Sequence, residues 1–410
     1  MTSRKKGLVY INLSFDLYQT MALVSIVFYI GKYFRNKIHI FSKFCIPPAV
    51  IGGFFFSLII LIFHETGDIT FNLDTSLQEV FMIAFFTSIG FTASLKTLKQ
   101  GGIKVVIFLL LSILLVVLQN TIGVSLAYLF HHNPLIGLCT GSIPMIGGHG
   151  TSGSFGPIIE DLGISGATAV SIASATFGLI MGSIVGGFVA RTLIKRHKIV
   201  TTHDENSNVP PEFVGDYNEE NHNILNFKRL MNGACLLFIA MGLGSIVSNW
   251  IQKSGLTFPS YIGAMIVAAV IRNIYDLCKI ELVEKEIETL GGLSLSFFLT
   301  MALMNLKLWQ LYDLALPLIV MLFAQVLLVG FFAYFITFKV MGRNYEAVVF
   351  SSAVCGFGMG ATPNAIANMD ELSNRYGFVP TPYFVVPIVG GLFIDFVNSA
   401  IITIFINLIS

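Results

Sequence analysis

Charge is what this sequence has least of. Asp, Glu, Lys and Arg make up 11% of its 410 residues, against roughly 25% in a soluble domain. So few polar residues cannot cover the core that 55% hydrophobic residues would build. A chain folded in water is excluded, and the bilayer remains as its solvent. The balance of charge is equally uninformative about partners: 24 Lys and Arg against 23 Asp and Glu give +1, which points to neither nucleic acid nor an acidic protein. Cysteine is scarce, odd in number and unpatterned. Cys45, Cys139, Cys235, Cys278 and Cys355 form no CxxC or Cys/His set, so they read as small buried hydrophobes. There is no HExxH, no Gly-Lys-Ser/Thr ending to a phosphate loop and no Ser/His/Asp set, so an enzyme is not expected.

Long apolar runs are what the chain does have. Crossing a hydrocarbon core about 30 Å thick takes about 20 helical residues, and ten runs qualify: 17–33, 45–63, 77–95, 103–130, 166–194, 230–250, 258–274, 287–306, 311–338 and 383–409. Arg4, Lys5 and Lys6 imitate the start of a signal peptide. However, Asp16 and Gln19 interrupt the apolar stretch after them and no small-residue cleavage motif ends it, so the first run is expected to be a retained span. One segment, 195–229, reads as a soluble linker rich in Asp, Glu, Asn and Pro. With that linker in the cytoplasm, only Arg4, Lys5, Lys6, Lys253 and Lys307 of the 24 basic residues fall outside. The bias orients the chain with both termini outside, the basic N-terminus being the one discordant feature.

Two further segments, 134–161 and 347–371, are apolar enough to enter the membrane but are broken by Gly, Pro, Ser, Thr and Asn. Irregular backbone survives at membrane depth only where protein or a water-filled cavity satisfies it, so re-entrant hairpins are expected, the first from outside and the second from the cytoplasm. The halves also repeat. Pro48, Gly52, Phe85, Gly147, Thr151, Glu160 and Gly178 match Pro259, Gly263, Phe297, Gly358, Thr362, Glu371 and Gly390 at an offset of 211–212 residues. Five spans per half make the second copy inverted. The expected fold is therefore an all-α polytopic membrane protein of two inverted repeats, 1–194 and 230–410, each with one hairpin. This is the plan on which many secondary transporters build a midplane site.

The hairpin tips carry the candidate chemistry. The first offers Ser142, Gly147, Gly148, His149, Gly150, Thr151 and Ser152; the second offers Gly358, Gly360, Ala361, Thr362 and Asn364. Glycine lets backbone approach a ligand closely. Thr151, Ser152, Thr362 and Asn364 stand where half-helices would begin, as N-caps do, and such N-termini attract anions. The bland alternative is a helix-packing surface of the small-xxx-small kind. His149 could relay a proton or contact substrate, or be hydrogen-bonded architecture. No Lys or Arg lies deep in any span, so a carboxylate substrate would be held by N–H groups, hydroxyls and amides, or by a co-transported cation. Asp395 is the deepest acid, with Asn398 on the same helix face. An ionisable group there is costly and functional by default, and these oxygens suit a small cation, although Asp395 could instead brace an unwound hairpin. Asn305, Gln119 and Asn120 are weaker polar insertions that more often bridge helices.

The runs GGHGTSGSFG, CGFGMGATPNAIANM, LSLSFFLTMALMNLKLW and VVPIVGGLFIDFVNSAII closely resemble the bacterial sodium:glutamate symporter family, and the likeness covers nearly the whole chain. The resemblance implies import of L-glutamate with sodium across the bacterial inner membrane. It also implies ten spans, two oppositely oriented re-entrant loops, a homodimer and an elevator-like motion. The family's hairpin motifs fall on Gly147–Thr151 and Gly356–Thr362, and its last-span acid and amide on Asp395 and Asn398. With Asn305 these form the candidate sodium set; no other cofactor is implied. Departures beside the tips, at Pro144 and Met145, leave open a sodium- or proton-coupled carrier of another di- or tricarboxylate. A channel and a membrane enzyme are the remaining rivals.

Overall fold

The computed structural model describes residues 11–44, 46–66, 69–100, 102–199, 227–253, 259–309 and 315–409. Most of the expected linker lies outside the described residues, as does Cys45. Two strands, β1 (Ile11–Phe15) and β2 (Ile69–Leu73), pair in parallel with Phe15 opposite Leu73, in addition to the helices expected. Between them run α1 (Leu17–Lys37), α2 (His39–Lys43) and α3 (Pro48–Thr66). The rest of the first half comprises α4 (Ser76–Thr92), α5 (Leu95–Gln100), α6 (Gly102–Leu129), α7 (Pro134–Leu138), α8 (Ser142–Met145), α9 (Gly148–Asp161) and α10 (Ala167–His197). The second half comprises α11 (Phe227–Lys253), α12 (Tyr261–Cys278), α13 (Glu284–Met304), α14 (Ala315–Phe331), α15 (Phe338–Val340), α16 (Tyr345–Gly358), α17 (Thr362–Tyr376), α18 (Pro380–Ile388) and α19 (Ile394–Ile409). The helices α10 and α11 each run three residues into the 195–229 segment, so that linker is shorter than expected.

Among the described residues, eight stretches are long and apolar enough to cross a membrane: α3, Ser76–Thr97 (α4 continued into α5), α6, α10, α11, α12, α13 and the continuous helix Leu316–Val340. The last of these contains a π-helical segment, Phe332–Thr337. Counted as one span, α18 with α19 brings the number to nine; the pair is bent by 41° around a second π-helical segment, Val389–Phe393. Pro387, inside α18, removes one backbone donor just before the bend. The tenth expected span, 17–33, is helical as α1, but Gln19, Thr20, Lys32 and three tyrosines leave it less apolar than the others.

The helices form two groups. In the first, α1, α3 and α4 pack with α11, α12 and α13; in the second, α6 to α10 pack with α14 to α19. The acidic residues before and within the start of α13 hold the first group together at one end. Arg229 bonds Glu286 at 2.8 Å and Glu281 at 3.3 Å, while Arg272 pairs with Asp276 and Glu284. The groups meet through small residues: a side chain on Gly150 would touch the Phe85 ring at 3.0 Å, and one on Gly153 the Phe298 ring at 2.9 Å.

One cysteine expectation needs correction. Cys139 and Cys355 are buried, but Cys235 and Cys278 are exposed, because α11 and α12 cover only one flank of the first group and turn their outer faces away from the protein.

Close approach across α10 depends on glycine. A Cβ on Gly178 would lie 2.1 Å from the Met359 carbonyl oxygen, whereas one on Gly242 of α11 would meet nothing within 4 Å. Gly178→Val is therefore expected to lower the melting temperature of the detergent-solubilised protein by several degrees, as overpacking costs about 1–3 kcal/mol. Gly242→Ala should leave it unchanged or raise it slightly; equal melting of the two variants would contradict this packing.

Candidate functional site

The two broken segments are built alike. Asn133 caps α7, accepting from the Leu135 N–H at 2.9 Å with Pro134 at the helix start; Asn344 caps α16, accepting from the Ala347 N–H at 2.9 Å. In the first segment the helix breaks after α7 and again at Ile146–Gly147. In the second it breaks at Met359–Ala361, and Ala361 is fully extended (φ −164°) before α17 resumes. The tips meet. Gly148 has φ +59°, and a Cβ placed there would stand 3.1 Å from the Gly360 carbonyl oxygen. A side chain at Gly148 would be strained as well as crowded.

Amide side chains satisfy the backbone that these breaks expose. Asn120 Oδ1 accepts from the Ser142 N–H at 2.9 Å, and Asn398 Nδ2 donates to the Ser142 carbonyl at 3.2 Å. Gln119 Nε2 donates to the Gly358 carbonyl at 2.7 Å, and Gln325 Nε2 donates to the Gln119 carbonyl at 2.8 Å. One chain of bonds thus runs from α14 through α6 to both tips and on to α19. The Ser142 Oγ, Asn398 Oδ1, Gln119 Oε1 and Gln325 Oε1 atoms stay buried without a protein partner. Unpaired buried oxygens of this kind are rare and suit a bound cation or water.

The remaining tip residues fall into varied surroundings. His149 is 6% exposed, with Nε2 3.0 Å from Thr176 Oγ1 of α10. Thr151 is buried against Gly147, and Gly150 faces α4. Ser152 Oγ donates to the Gly148 carbonyl at 2.7 Å and lies 3.2 Å from the Ser171 carbonyl. Thr362 lies beside the bend of the last span, where a Cβ on Gly390 would stand 3.0 Å from Thr362 Oγ1. Asn364 Nδ2 donates to the Leu179 carbonyl at 2.7 Å. The N-cap expectation is corrected. Gly147 and Ala361 occupy the cap positions without side-chain bonds, and Thr151, Ser152 and Asn364 sit inside the helices, because Gly148 already allows α9 to start three residues before Thr151.

Asp395 stands in the first turn of α19, and among the described residues its carboxylate has no hydrogen-bond or ion-pair partner. One turn on, Ser399 Oγ lies 3.4 Å from the hydroxyl of Tyr261, whose ring stacks on Phe86 with centroids 3.8 Å apart. Asn305 is not brought to this place. It is exposed at the end of α13, bonds its own helix at Met301, and lines a small cavity with Gln78 and Glu160. Among the described residues, no Lys or Arg forms a hydrogen bond or ion pair with either tip.

The Sodium/glutamate symporter family model matches residues 13–378. The chain is 36% identical to the Sodium/glutamate symporter of Haemophilus influenzae over 396 residues, covering 95% of this chain and 96% of that protein. It is 36% identical to the Escherichia coli protein of the same name over 395 residues, covering 96% and 98%. This chain belongs to the sodium/glutamate symporter family. It is thus a multi-pass membrane protein of a transporter family and not an enzyme.

In this member of the family, Gln119 and Asn120 act as bridges between helices, as polar insertions in apolar spans more often do. Gln325 is a bridge that the sequence reading does not single out, although an isolated Gln in the apolar run 315–340 is the same signal as Gln119. Removing a bridge should be costly. Asn120→Ala leaves the buried Ser142 N–H unpaired, at about 1–3 kcal/mol. It is expected to lower the melting temperature and to reduce transport in the same preparation. A melting temperature equal to the parent's would show that this bond does not brace the first tip.

Proposed function

We propose that this protein is a sodium-coupled symporter that imports L-glutamate across the bacterial inner membrane by alternating access. The observation that carries the reading is the meeting of the two tips, Gly148 against Gly360, beside a last span whose Asp395 carboxylate is unpartnered among the described residues. Membership of a family whose named members are sodium/glutamate symporters supplies the substrates.

In this reading the broken segments are re-entrant hairpins of two inverted repeats, and the central linker is cytoplasmic with both termini outside. The packing supports the repeat: Gly52 sits against the Val27 carbonyl where α1 crosses α3, and Gly263 sits against the Gly244 carbonyl where α11 crosses α12. The first turns of α9 and α17 lend N–H groups to the substrate carboxylates, beside Ser142, His149, Thr151, Ser152, Thr362 and Asn364. Asp395 and Asn398, with the free Ser142 and Asn398 oxygens nearby, bind sodium. Asn305 is left out of that set on its position. The group carrying the hairpins moves against the other, elevator-fashion, over the glycine contacts with Phe85 and Phe298, and the first group supports a homodimer.

Uptake into proteoliposomes tests the reading. Glutamate is expected to accumulate only under an inward sodium gradient, and accumulation indifferent to that gradient would sink the coupling. Competition by citrate or malate at glutamate-like concentrations would favour a carrier of other carboxylates. Asp395→Asn should raise the sodium concentration for half-maximal uptake by about tenfold, equivalent to about 1.4 kcal/mol of lost charge attraction. An unaltered sodium dependence would remove Asp395 from the site.

A further inference from the structure

Along α17 the polar residues Asn364, Asn368, Glu371 and Arg375 recur at helical spacing and share one face. That face turns toward α10. Ser183 Oγ donates to Asn364 Oδ1 at 3.3 Å, and Asn368 Nδ2 donates to the Gly182 carbonyl at 3.2 Å. Further along, α10 offers little bulk, and a Cβ on Gly187 would meet nothing within 4 Å. The helices part there around a cleft of about 300 Å³, lined among others by Ser183, Arg191, Asn368, Glu371 and Arg375. That volume lies at the lower end of the range for small-molecule sites.

The cleft is graded. Arg191, Glu371 and Arg375 are exposed at its mouth, and Asn368 is 6% exposed at its floor. Among the described residues, none of the three charged side chains has an ion-pair partner. From the floor, Ser183 leads directly to Asn364, two residues beyond the start of the second tip's returning helix. Two guanidinium groups and one carboxylate complement an acidic amino acid, which carries two carboxylates and one ammonium. Guanidinium groups at a mouth hold carboxylates bidentately without the penalty of burial.

We propose that this cleft is a docking station for an acidic amino acid on the cytoplasmic face, where Arg191 and Arg375 take the carboxylates, Glu371 takes the ammonium, and Ser183 and Asn368 line the way to the second tip. It rests on the transport reading and its orientation. It gives the cytoplasmic side of the carrier a binding step separate from the site at the tips.

Transport measured in whole cells and in inverted membrane vesicles separates the two faces. Arg191→Gln and Arg375→Gln are expected to raise the half-saturating glutamate concentration in inverted vesicles by about tenfold. The shift should be at least threefold greater than in cells, and smaller at high ionic strength because the mouth is solvent-accessible. Arg191→Lys and Arg375→Lys, which keep the charge but lose the bidentate fork, should restore part of the affinity. Glu371→Gln should narrow the preference for glutamate over glutarate, which lacks the ammonium, in vesicles. Equal shifts on both faces, a shift confined to cells, or none on either face would overturn the proposal. So would a shift that tracks the anionic-lipid content of the vesicles instead of the glutamate concentration, since the cleft would then hold a headgroup. Absence of sodium-driven glutamate transport by the parent protein in both preparations would overturn the transport reading itself, and the docking step with it.

Discussion

A peptide group that leaves helical geometry inside a bilayer has to find its hydrogen-bond partners in protein, and the unusual parts of this chain answer to that requirement. Breaking two helices within the buried interior exposes the backbone at Ser142 and around Gly358. The partners are Asn120 and Asn398 for the first, and Gln119, itself held by Gln325, for the second. Neutral amides suit the task because each supplies a donor and an acceptor without the cost of a buried charge. The glycines beside them let the elements come close enough for those bonds to form. Gly148 adopts a left-handed conformation against Gly360, and Gly178 admits the Met359 carbonyl. The pair of tips is thereby held by α6 and α19, with α14 bracing α6.

That arrangement is partly legible in the sequence. The first broken segment is expected at 134–161, and the structure begins α7 at Pro134 and ends α9 at Asp161. Pro, Gly and Asn announce the ends of helices through backbone chemistry that acts locally, so their positions carry over directly. Span lengths carry over for the same reason. What a sequence does not encode locally is which face meets which neighbour. Gln325 is chemically equivalent to Gln119, yet its role exists only where α14 crosses α6. Asn305 and Asp395 look similar as polar insertions, yet one is exposed at the end of α13 and the other is half-buried in the first turn of α19. The start of α9 departs from expectation because glycine, and not a hydroxyl residue, supplies the freedom to turn, whereas α17 does start at Thr362, with Ala361 in the cap position.

Charge obeys the same logic of depth. The tips hold no Lys or Arg among the described residues, so in the proposed mechanism a substrate carboxylate there would rely on N–H dipoles and on sodium near Asp395. A buried guanidinium would bind an anion tightly in the absence of sodium and would uncouple the two ligands. An unpartnered carboxylate does the reverse, since it makes the empty site unfavourable until a cation arrives. The arginines that do approach the second broken segment, Arg191 and Arg375, stand at the mouth of a cleft, where water lowers the cost of their charge and salt tunes their reach. In the proposed transport cycle, attraction at the entrance and neutrality at the tips would divide the work between capture and coupling. Capture there needs only a field that concentrates the anion, and coupling needs a site that neither ligand can satisfy alone.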